Sequence, residues 1–207
     1  SRDLLKTLSE DNFENDQFKF GFAKFITIDG VKIWTQRLSY VGELGYELYV
    51  DLKDAKKIYE LLIEKGKDFN LSNCGMHAMD IMRMESGFLH WGHDISPEEN
   101  QYQAGLAFTI SNKKDVDFIG KQALEKIKQD KVKTRFSMFT LKESEPGKPL
   151  LLHDEPIYDG EKIIGRSTSG NYSFNFKKNL VFGYINNDFS NEELQNKNLF
   201  IEVEKKK

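Results

Sequence analysis

The chain has 207 residues, of which 39% are hydrophobic and 13% aromatic, so it can form one large or two small domains with packed cores. Its formal net charge of −3 argues against a nucleic-acid-binding protein, which needs a basic face, and disfavours an anionic membrane surface. No segment approaches the roughly 18 apolar residues that cross a bilayer. The single cysteine, Cys74, excludes an intrachain disulfide and fits a reducing compartment such as the cytoplasm.

The first residues have the pattern of a helix that starts without a preceding loop. Leu4, Leu5 and Leu8 recur at helical spacing within residues 1–9. We therefore expect the chain to begin inside a domain and these leucines to lack some of their packing partners.

Strand patterns follow this helix. Residues 18–28 and 31–40 are rich in β-branched and aromatic side chains and meet at Asp29-Gly30, a dipeptide typical of a tight hairpin. Residues 46–51 predict a third strand. The rest of this half predicts two helices, at residues 53–65 and 76–86, which end at Gly66 and Gly87. A loop at residues 88–103, a short strand at 107–110 and a last helix at 121–129 follow.

The character of the sequence changes near residue 130, after which nearly all predicted elements are strands. Short strands separated by Gly and Pro turns are typical of a small barrel or sandwich. We therefore expect one domain over residues 1–128 and a second over 130–207. The predicted strands of the second domain are residues 134–142, 156–158, 162–168, 180–185 and 199–203.

One acid stands in a break between two strand-like segments. Glu43 lies between Gly42 and Gly45, with Tyr40 before the break and Tyr46 after it. A carboxylate in this position can accept paired N–H donors from the edge of an aminopyrimidine-like ring, and glycine permits the close backbone approach of a flat ligand. The alternative is an ordinary acid in a surface turn.

Charged residues interrupt the apolar, Met-rich helix predicted after residue 75. Asp80 and Arg83 stand three positions apart and can face each other, and Glu85 follows. The pair can be a structural ion pair, or Arg83 can orient a ligand or the acid that binds it. Both alternatives stay open on the sequence alone.

The loop after this helix contains His90, Trp91, His93 and Asp94. These residues suggest a metal site at first sight, but the spacing supplies no third and fourth ligand, so no metal is expected. We expect Trp91 to pack and His93 to form hydrogen bonds. Cys74 has no basic neighbour and is expected to be a packed thiol, and no nucleophilic catalytic arrangement is predicted.

Two further patterns bear on function. The hydroxyl-rich residues 165–173 predict a tight turn at a strand end, or alternatively the edge of a cleft. The chain has neither a Gly-x-Gly-x-x-Gly segment after a strand nor a Walker loop. A dinucleotide or nucleoside triphosphate site is therefore not expected in this chain.

Taken in order along the chain, several segments together resemble the aminomethyltransferase family, the folate-dependent T-protein of glycine cleavage and its relatives. The sequence around Glu43 is most similar to that of the branch fused to flavin amine dehydrogenases, such as dimethylglycine and sarcosine dehydrogenases. The matching segments are RLSYVGELGYE at 37–47, RMESG at 83–87, WGHD at 91–94, AGL at 104–106, DFIGKQAL at 117–124, TSG at 168–170 and GY at 183–184.

The resemblance implies an α+β fold, in which the C-terminal part of a folate-binding domain (residues 1–128) precedes a small antiparallel β-barrel (residues 130–207). It implies that the parent protein transfers a one-carbon unit from an amine to tetrahydrofolate. The implied parent is a flavin-dependent dimethylglycine or sarcosine-type dehydrogenase, with FAD in an upstream domain that is missing here. The alternatives are a T-protein-like aminomethyltransferase, a non-catalytic folate-binding or docking module, and a structural domain that has lost its ligand.

The resemblance also implies the binding residues and partners. Glu43 is expected to bind the pterin edge, Tyr40 and Trp91 to flank the ring, and Arg83 to support the wall of the site. The expected partners are folate, an amine-derived one-carbon unit and the missing N-terminal portion of the same protein, with no nucleic acid and no membrane. The family's catalytic aspartate has no counterpart here, so the chain by itself is expected to be inactive. Met79 stands where the family's helix often carries a further arginine.

Overall fold

The computed structural model describes residues 1–110, 117–130, 132–186 and 188–205. It divides into two compact units, Ser1–Ser86 and Gly87–Lys207, and each is described by itself. The predicted domains 1–128 and 130–207 rest on a change in composition, which this division does not test, and they stay a prediction. None of the described helices is both long and apolar enough to span a membrane.

The first unit combines a three-stranded antiparallel sheet with helices. In chain order the elements are α1 (Arg2–Leu8), β1 (Ala23–Ile28), β2 (Val31–Gln36), β3 (Glu47–Tyr49), α2 (Leu52–Gly66), a 3-10 helix (Lys67–Phe69) and α3 (Met76–Glu85). The strands lie side by side in the order β1-β2-β3.

The β1–β2 hairpin forms where the sequence predicts it. Asp29 and Gly30 both have positive φ, at 47° and 74°, and such a turn matches the twist of the flanking strands. Alternate residues of the two strands then share a face, and Ile26 and Ile33 are buried directly opposite each other. These side chains belong to one core cluster with Leu5 of α1.

The helical start of the chain is confirmed, but one expectation about it is wrong. Leu4 and Leu5 are buried, and Leu8 is partly buried against the same core cluster. The leucines therefore find packing partners within this chain, because the face of α1 that carries them lies on the core of the first unit.

The end of α2 also differs from the sequence prediction. Gly66 does not stop the helix but is its last, buried residue. A Cβ at Gly66 would lie 2.4 Å from the Leu71 side chain, so glycine is needed here for close packing. The chain leaves the helical conformation at Asn70, which has a left-handed φ of 54°.

The second unit is dominated by an antiparallel sheet. Its helices and strands are a 3-10 helix (Ala107–Thr109), α4 (Lys121–Gln129), β4 (Thr134–Thr140), β5 (Pro156–Asp159), β6 (Lys162–Ser173), β7 (Lys178–Asn186), α5 (Asn191–Asn196) and β8 (Leu199–Ile201). The strands of the sheet lie in the order β4-β7-β6-β5-β8. Its apolar side chains form clusters centred on Val181 and on Ile185. Over the described residues the edge strands β4 and β8 do not pair, so the barrel is open.

Two predictions in this unit are wrong. Residues 107–110 form a 3-10 turn, in which the Thr109 hydroxyl and backbone N–H both donate to the Leu106 carbonyl. The hydroxyl-rich residues 165–173 lie within β6 rather than in a turn, because their backbone groups pair with β7 along this whole stretch. The predicted fold class, mixed helix and antiparallel sheet, is confirmed.

Candidate functional site

The segment around Glu43 forms an irregular bend between the end of β2 and the start of β3, and Glu43 lies exposed within it. Two hydroxyl groups hold the bend. Ser86 donates to the Val41 carbonyl at 3.2 Å, and Ser1 donates to the Leu44 carbonyl at 2.6 Å. Carbonyl groups on both sides of Glu43 are thus held while its side chain stays exposed.

Gly42 is explained by this packing. Its φ of +74° lies in the left-handed region, which disfavours residues with a Cβ. A Cβ at Gly42 would also lie 2.1 Å from the Ser86 hydroxyl oxygen. The glycine therefore allows the bend to approach the C-terminal end of α3.

The two tyrosines that flank the bend differ in their surroundings. The ring of Tyr46 lies 5.7 Å from that of Phe13 and 5.5 Å from that of Phe18, so Tyr46 belongs to the core. Tyr40 is half-buried. Of the two, Tyr40 is the one whose surroundings are compatible with the predicted ligand contact.

Arg83 is almost fully buried, at 1% exposure. Its Nε and Nη2 atoms donate to Oδ1 of Asp80 at 2.8 and 2.7 Å, as expected for helix positions three apart. Glu85, the third charged residue of this helix, is half-buried. The guanidinium is therefore held in a structural ion pair, and a contact between Arg83 and a ligand stays a prediction.

In the second unit, Asp94 is a buried acid at 1% exposure. The Thr168 and Ser169 hydroxyls donate to its Oδ1 at 2.5 and 2.7 Å, and the backbone N–H of His90 donates to its Oδ2 at 2.9 Å. The Tyr184 hydroxyl donates to the Asp94 carbonyl at 2.8 Å. The sequence shows both halves of this network, an acid in the WGHD segment and a run of hydroxyls 74 and 75 residues later, but nothing in it pairs them.

Burial is the main cause that raises the pKa of Tyr184, and the carboxylates of Glu99 and Asp94 add to it. The phenol consequently stays protonated and keeps its role as a donor. On the same unit, the His153 ring and the Arg166 guanidinium hold the pKa of the Asp154 carboxyl below its ordinary value.

Two residues expected to be packed are exposed. Trp91 is 65% exposed, and Cys74 is exposed within residues 70–77, all of which are exposed. The rings of His90 and His93 lie 4.5 Å apart, and that of His153 lies 6.3 Å from His93. Within the described ranges, no group of three or more His, Cys, Asp or Glu side chains is arranged to hold a metal ion.

A groove of about 910 Å³ opens in the second unit between β4 and the segment from α5 to β8. Its lining includes the apolar side chains Phe139, Ile157 and Ile201. None of the four predicted binding residues lines it. Glu43, Tyr40 and Arg83 belong to the first unit and Trp91 to the second, and their action as one site stays a prediction.

The order of these motifs along the chain agrees with a comparison of the whole sequence with known families. Residues 1–114 match the GCVT N-terminal domain, and residues 135–207 match the glycine cleavage T-protein C-terminal barrel domain. The chain belongs to the glycine cleavage T-protein family. The resemblance drawn from the sequence motifs is thereby confirmed.

Relatives in this family include dehydrogenases and aminomethyltransferases. Human mitochondrial dimethylglycine dehydrogenase is 34% identical over 185 residues, which are 89% of this chain and 21% of the human protein. The aminomethyltransferase of Symbiobacterium thermophilum is 34% identical over 167 residues, which are 80% of this chain and 44% of that protein.

A solved structure shows the same fold. The glycine cleavage system aminomethyltransferase T from Bartonella henselae matches with a TM-score of 0.71 at 22% identity, over 84% of this chain and 46% of that one. This member of the T-protein family thus spans less than half the length of each of these three proteins.

Proposed function

We propose that this chain is the tetrahydrofolate-binding portion of a one-carbon-transferring enzyme of the dimethylglycine or sarcosine dehydrogenase type. The observation that carries the proposal is the exposed carboxylate of Glu43, in a bend held by two hydroxyl groups. The similarity to dimethylglycine dehydrogenase over 89% of the chain supports the choice of branch.

The residues of the bend fit the chemistry of a pterin. An aminopyrimidine edge offers two adjacent N–H donors, which a carboxylate accepts as a charge-assisted pair. In the described part of the chain, no side chain forms an ion pair or hydrogen bond with the Glu43 carboxylate. Glu43 is therefore available to bind the edge of the ring.

The other predicted residues have supporting roles in this proposal. Tyr40 and Trp91 flank the ring, since aromatic faces stack on flat heterocycles. Arg83, which is held by Asp80, supports the wall of the site rather than binding the ligand alone.

The chemistry in the parent enzyme is mainly positional. Tetrahydrofolate supplies the nitrogen that accepts the one-carbon unit. This chain's residues bind and orient the ring, and proximity of the reacting groups contributes much of the rate enhancement. The family's catalytic aspartate has no match here, so we expect the chain by itself to bind tetrahydrofolate without turning over an amine-derived one-carbon donor.

The proposal includes partners and a location. The rest of the parent protein supplies the missing N-terminal portion of the folate-binding domain and, in the dehydrogenase branch, an FAD domain. A cytoplasmic location stays a prediction, since the human relative is named as a mitochondrial enzyme. The aminomethyltransferase relative, covered over 44% of its length, favours a T-protein-like parent as the second candidate.

Calorimetric titration of the chain with tetrahydrofolate tests the proposal. The Glu43→Gln variant keeps the size of the side chain but loses its charge, and it should lose about 1.5–3 kcal/mol of binding free energy. Glu10→Gln is the matched control, because Glu10 is also exposed and lies in the same unit. The melting temperature without ligand should barely move in either variant. Equal affinities of wild type and Glu43→Gln would show that Glu43 is an ordinary turn acid.

A further inference from the structure

The carboxylate of Asp94 is a buried acidic group to which the proposed function assigns no role. Ionised groups are costly to bury unless hydrogen-bond donors compensate them. Here both carboxylate oxygens have donors, since the Thr168 and Ser169 hydroxyls donate to Oδ1 and the backbone N–H of His90 donates to Oδ2. An acid satisfied in this way, at 1% exposure, fixes whatever chain segment carries it.

The geometry of β6 serves this contact. In a regular strand, neighbouring side chains point to opposite faces, so Thr168 and Ser169 could not both reach one oxygen atom. The pairing of β6 with β7 shifts register between Ser167 and Ser169, and this irregularity brings both hydroxyls to the same Oδ1. Bulges of this kind re-aim side chains next to functional sites.

The backbone of the loop is tied at the same point. The Tyr184 hydroxyl of β7 donates to the Asp94 carbonyl at 2.8 Å. The Asp94 N–H donates to the His90 carbonyl at 2.8 Å, and the Gly92 N–H donates to the Ile95 carbonyl at 2.8 Å. Residues 90–95 are therefore closed on themselves and attached through Asp94 to two adjacent strands.

Trp91 lies inside this closed loop and is 65% exposed. A large aromatic side chain gains little burial energy in such a position. Aromatic faces do, however, bind flat rings by stacking. The Asp94 network holds the backbone on both sides of Trp91, and it thereby sets the direction of the Cα–Cβ bond from which the indole extends.

We propose that Asp94 is a positioning residue that holds the Trp91 indole in the orientation in which a pterin ring stacks on it. The inference rests on the proposed function, which supplies the ligand. Asp94 does not contact the ligand itself, and it acts through Trp91 alone.

The test measures the indole and the ligand separately. In a Trp34→Phe background, Trp91 is the only tryptophan, and its fluorescence anisotropy reports its local motion. Thr168→Val removes one donor to Asp94 with little change of shape. It should lower the anisotropy and weaken tetrahydrofolate binding about two- to tenfold, the range expected for an aromatic contact. Thr140→Val, an exposed threonine on β4, is the matched control and should change neither quantity.

A double-mutant cycle separates positioning from a general loss of structure. In a Trp91→Ala background, Thr168→Val should have no further effect on the dissociation constant. Asp94→Asn should restore most of the affinity that Asp94→Ala loses, because its amide can accept from the His90 N–H and hydrogen-bond to both hydroxyls.

The outcomes distinguish this inference from the proposed function. Wild-type protein that does not bind tetrahydrofolate contradicts the proposed function. Binding with additive effects in the cycle, or unchanged anisotropy in Thr168→Val, overturns the positioning role. If Asp94→Ala does not fold, Thr168→Val still decides, since it leaves the carboxylate and its other donors in place.

Discussion

The hydroxyl of Ser86 donates a hydrogen bond to the carbonyl of Val41 at 3.2 Å, across 45 residues of sequence. This contact joins the two segments that the sequence singles out, the bend around Glu43 and the charged helix α3. The Ser86 oxygen also occupies the space that a side chain at Gly42 would need. The helix end thus sets the path of the bend that carries the proposed ligand-binding acid.

The first prediction concerns Gly42→Ala. The variant should lose more than about 1–2 kcal/mol of unfolding free energy, because a left-handed conformation alone costs that much and a steric clash adds to it. The clash arises because the new Cβ would lie 2.1 Å from the Ser86 oxygen. Urea denaturation measures the loss.

Gly21→Ala is the matched control for this variant. Gly21 has a similar φ of +78°, but nothing lies within 4 Å of the position that a Cβ would take there, so this variant reports the conformational cost alone. In a Ser86→Gly background, the cost of Gly42→Ala should fall to that of Gly21→Ala. An unchanged cost in that background would contradict the packing argument.

A second prediction concerns Gly183 on β7. A Cβ at this position would lie 2.5 Å from the Arg166 carbonyl oxygen of the neighbouring strand. Backbone atoms cannot move aside as side chains do, so Gly183→Ala should destabilise the protein by about 1–3 kcal/mol through overpacking. Gly160→Ala, with no atom within 4 Å of the new Cβ but a φ of +61°, separates crowding from turn strain. Thermal unfolding measures both variants. A smaller loss of stability for Gly183→Ala than for Gly160→Ala would refute the overpacking argument.

The ion pair of α3 supplies a third prediction. Asp80→Asn removes the Asp80 charge from its ion pair with the buried Arg83 guanidinium, and we expect a loss of about 2 kcal/mol in unfolding free energy. Glu60→Gln is the control, since Glu60 pairs with Lys56 at 3.7 Å on the exposed surface of α2. Exposed helix pairs contribute about 0.3–0.5 kcal/mol. Comparable losses in the two variants would argue against a structural ion pair at Arg83.

The fourth prediction is a pH dependence caused by Tyr184. Its pKa is raised in the folded state from an ordinary value of 10.0, so its contribution to stability is complete below pH 10 and decreases as the pH rises above it. At pH 11 the unfolded tyrosine is largely ionised, which removes about 1.4 kcal/mol of that contribution.

Comparison of wild type with Tyr184→Phe isolates this effect. The stability advantage of wild type, about 1 kcal/mol at pH 7 from the hydrogen bond to Asp94, should shrink or reverse at pH 11. Chemical denaturation at both pH values measures it. A difference that stays constant between pH 7 and pH 11 would mean that Tyr184 ionises equally in both states.

The local elements of the fold could be predicted from the sequence. The Asp29-Gly30 hairpin and the helix Lys121–Gln129 occur where the patterns place them, because residues within a few positions determine them. The turn predicted over residues 165–173 is wrong for the opposite reason. Serine, glycine and asparagine favour turns locally, but pairing with β7 extends the segment into a strand.

The sequence by itself indicated the family, the fold class and an acid at Glu43 between two glycines, because ordered motifs and glycine positions can be read directly from the order of the residues. Tertiary structure alone decided that Ser86 packs on Gly42, that Leu5 is buried, and that Trp91 is exposed. It also decided that Asp94 receives the Thr168 hydroxyl from 74 residues away. Such contacts depend on how distant strands and loops pack together. The contact between Asp94 and Thr168 also requires the register shift between β6 and β7, which is a property of the paired strands and not of either sequence segment alone.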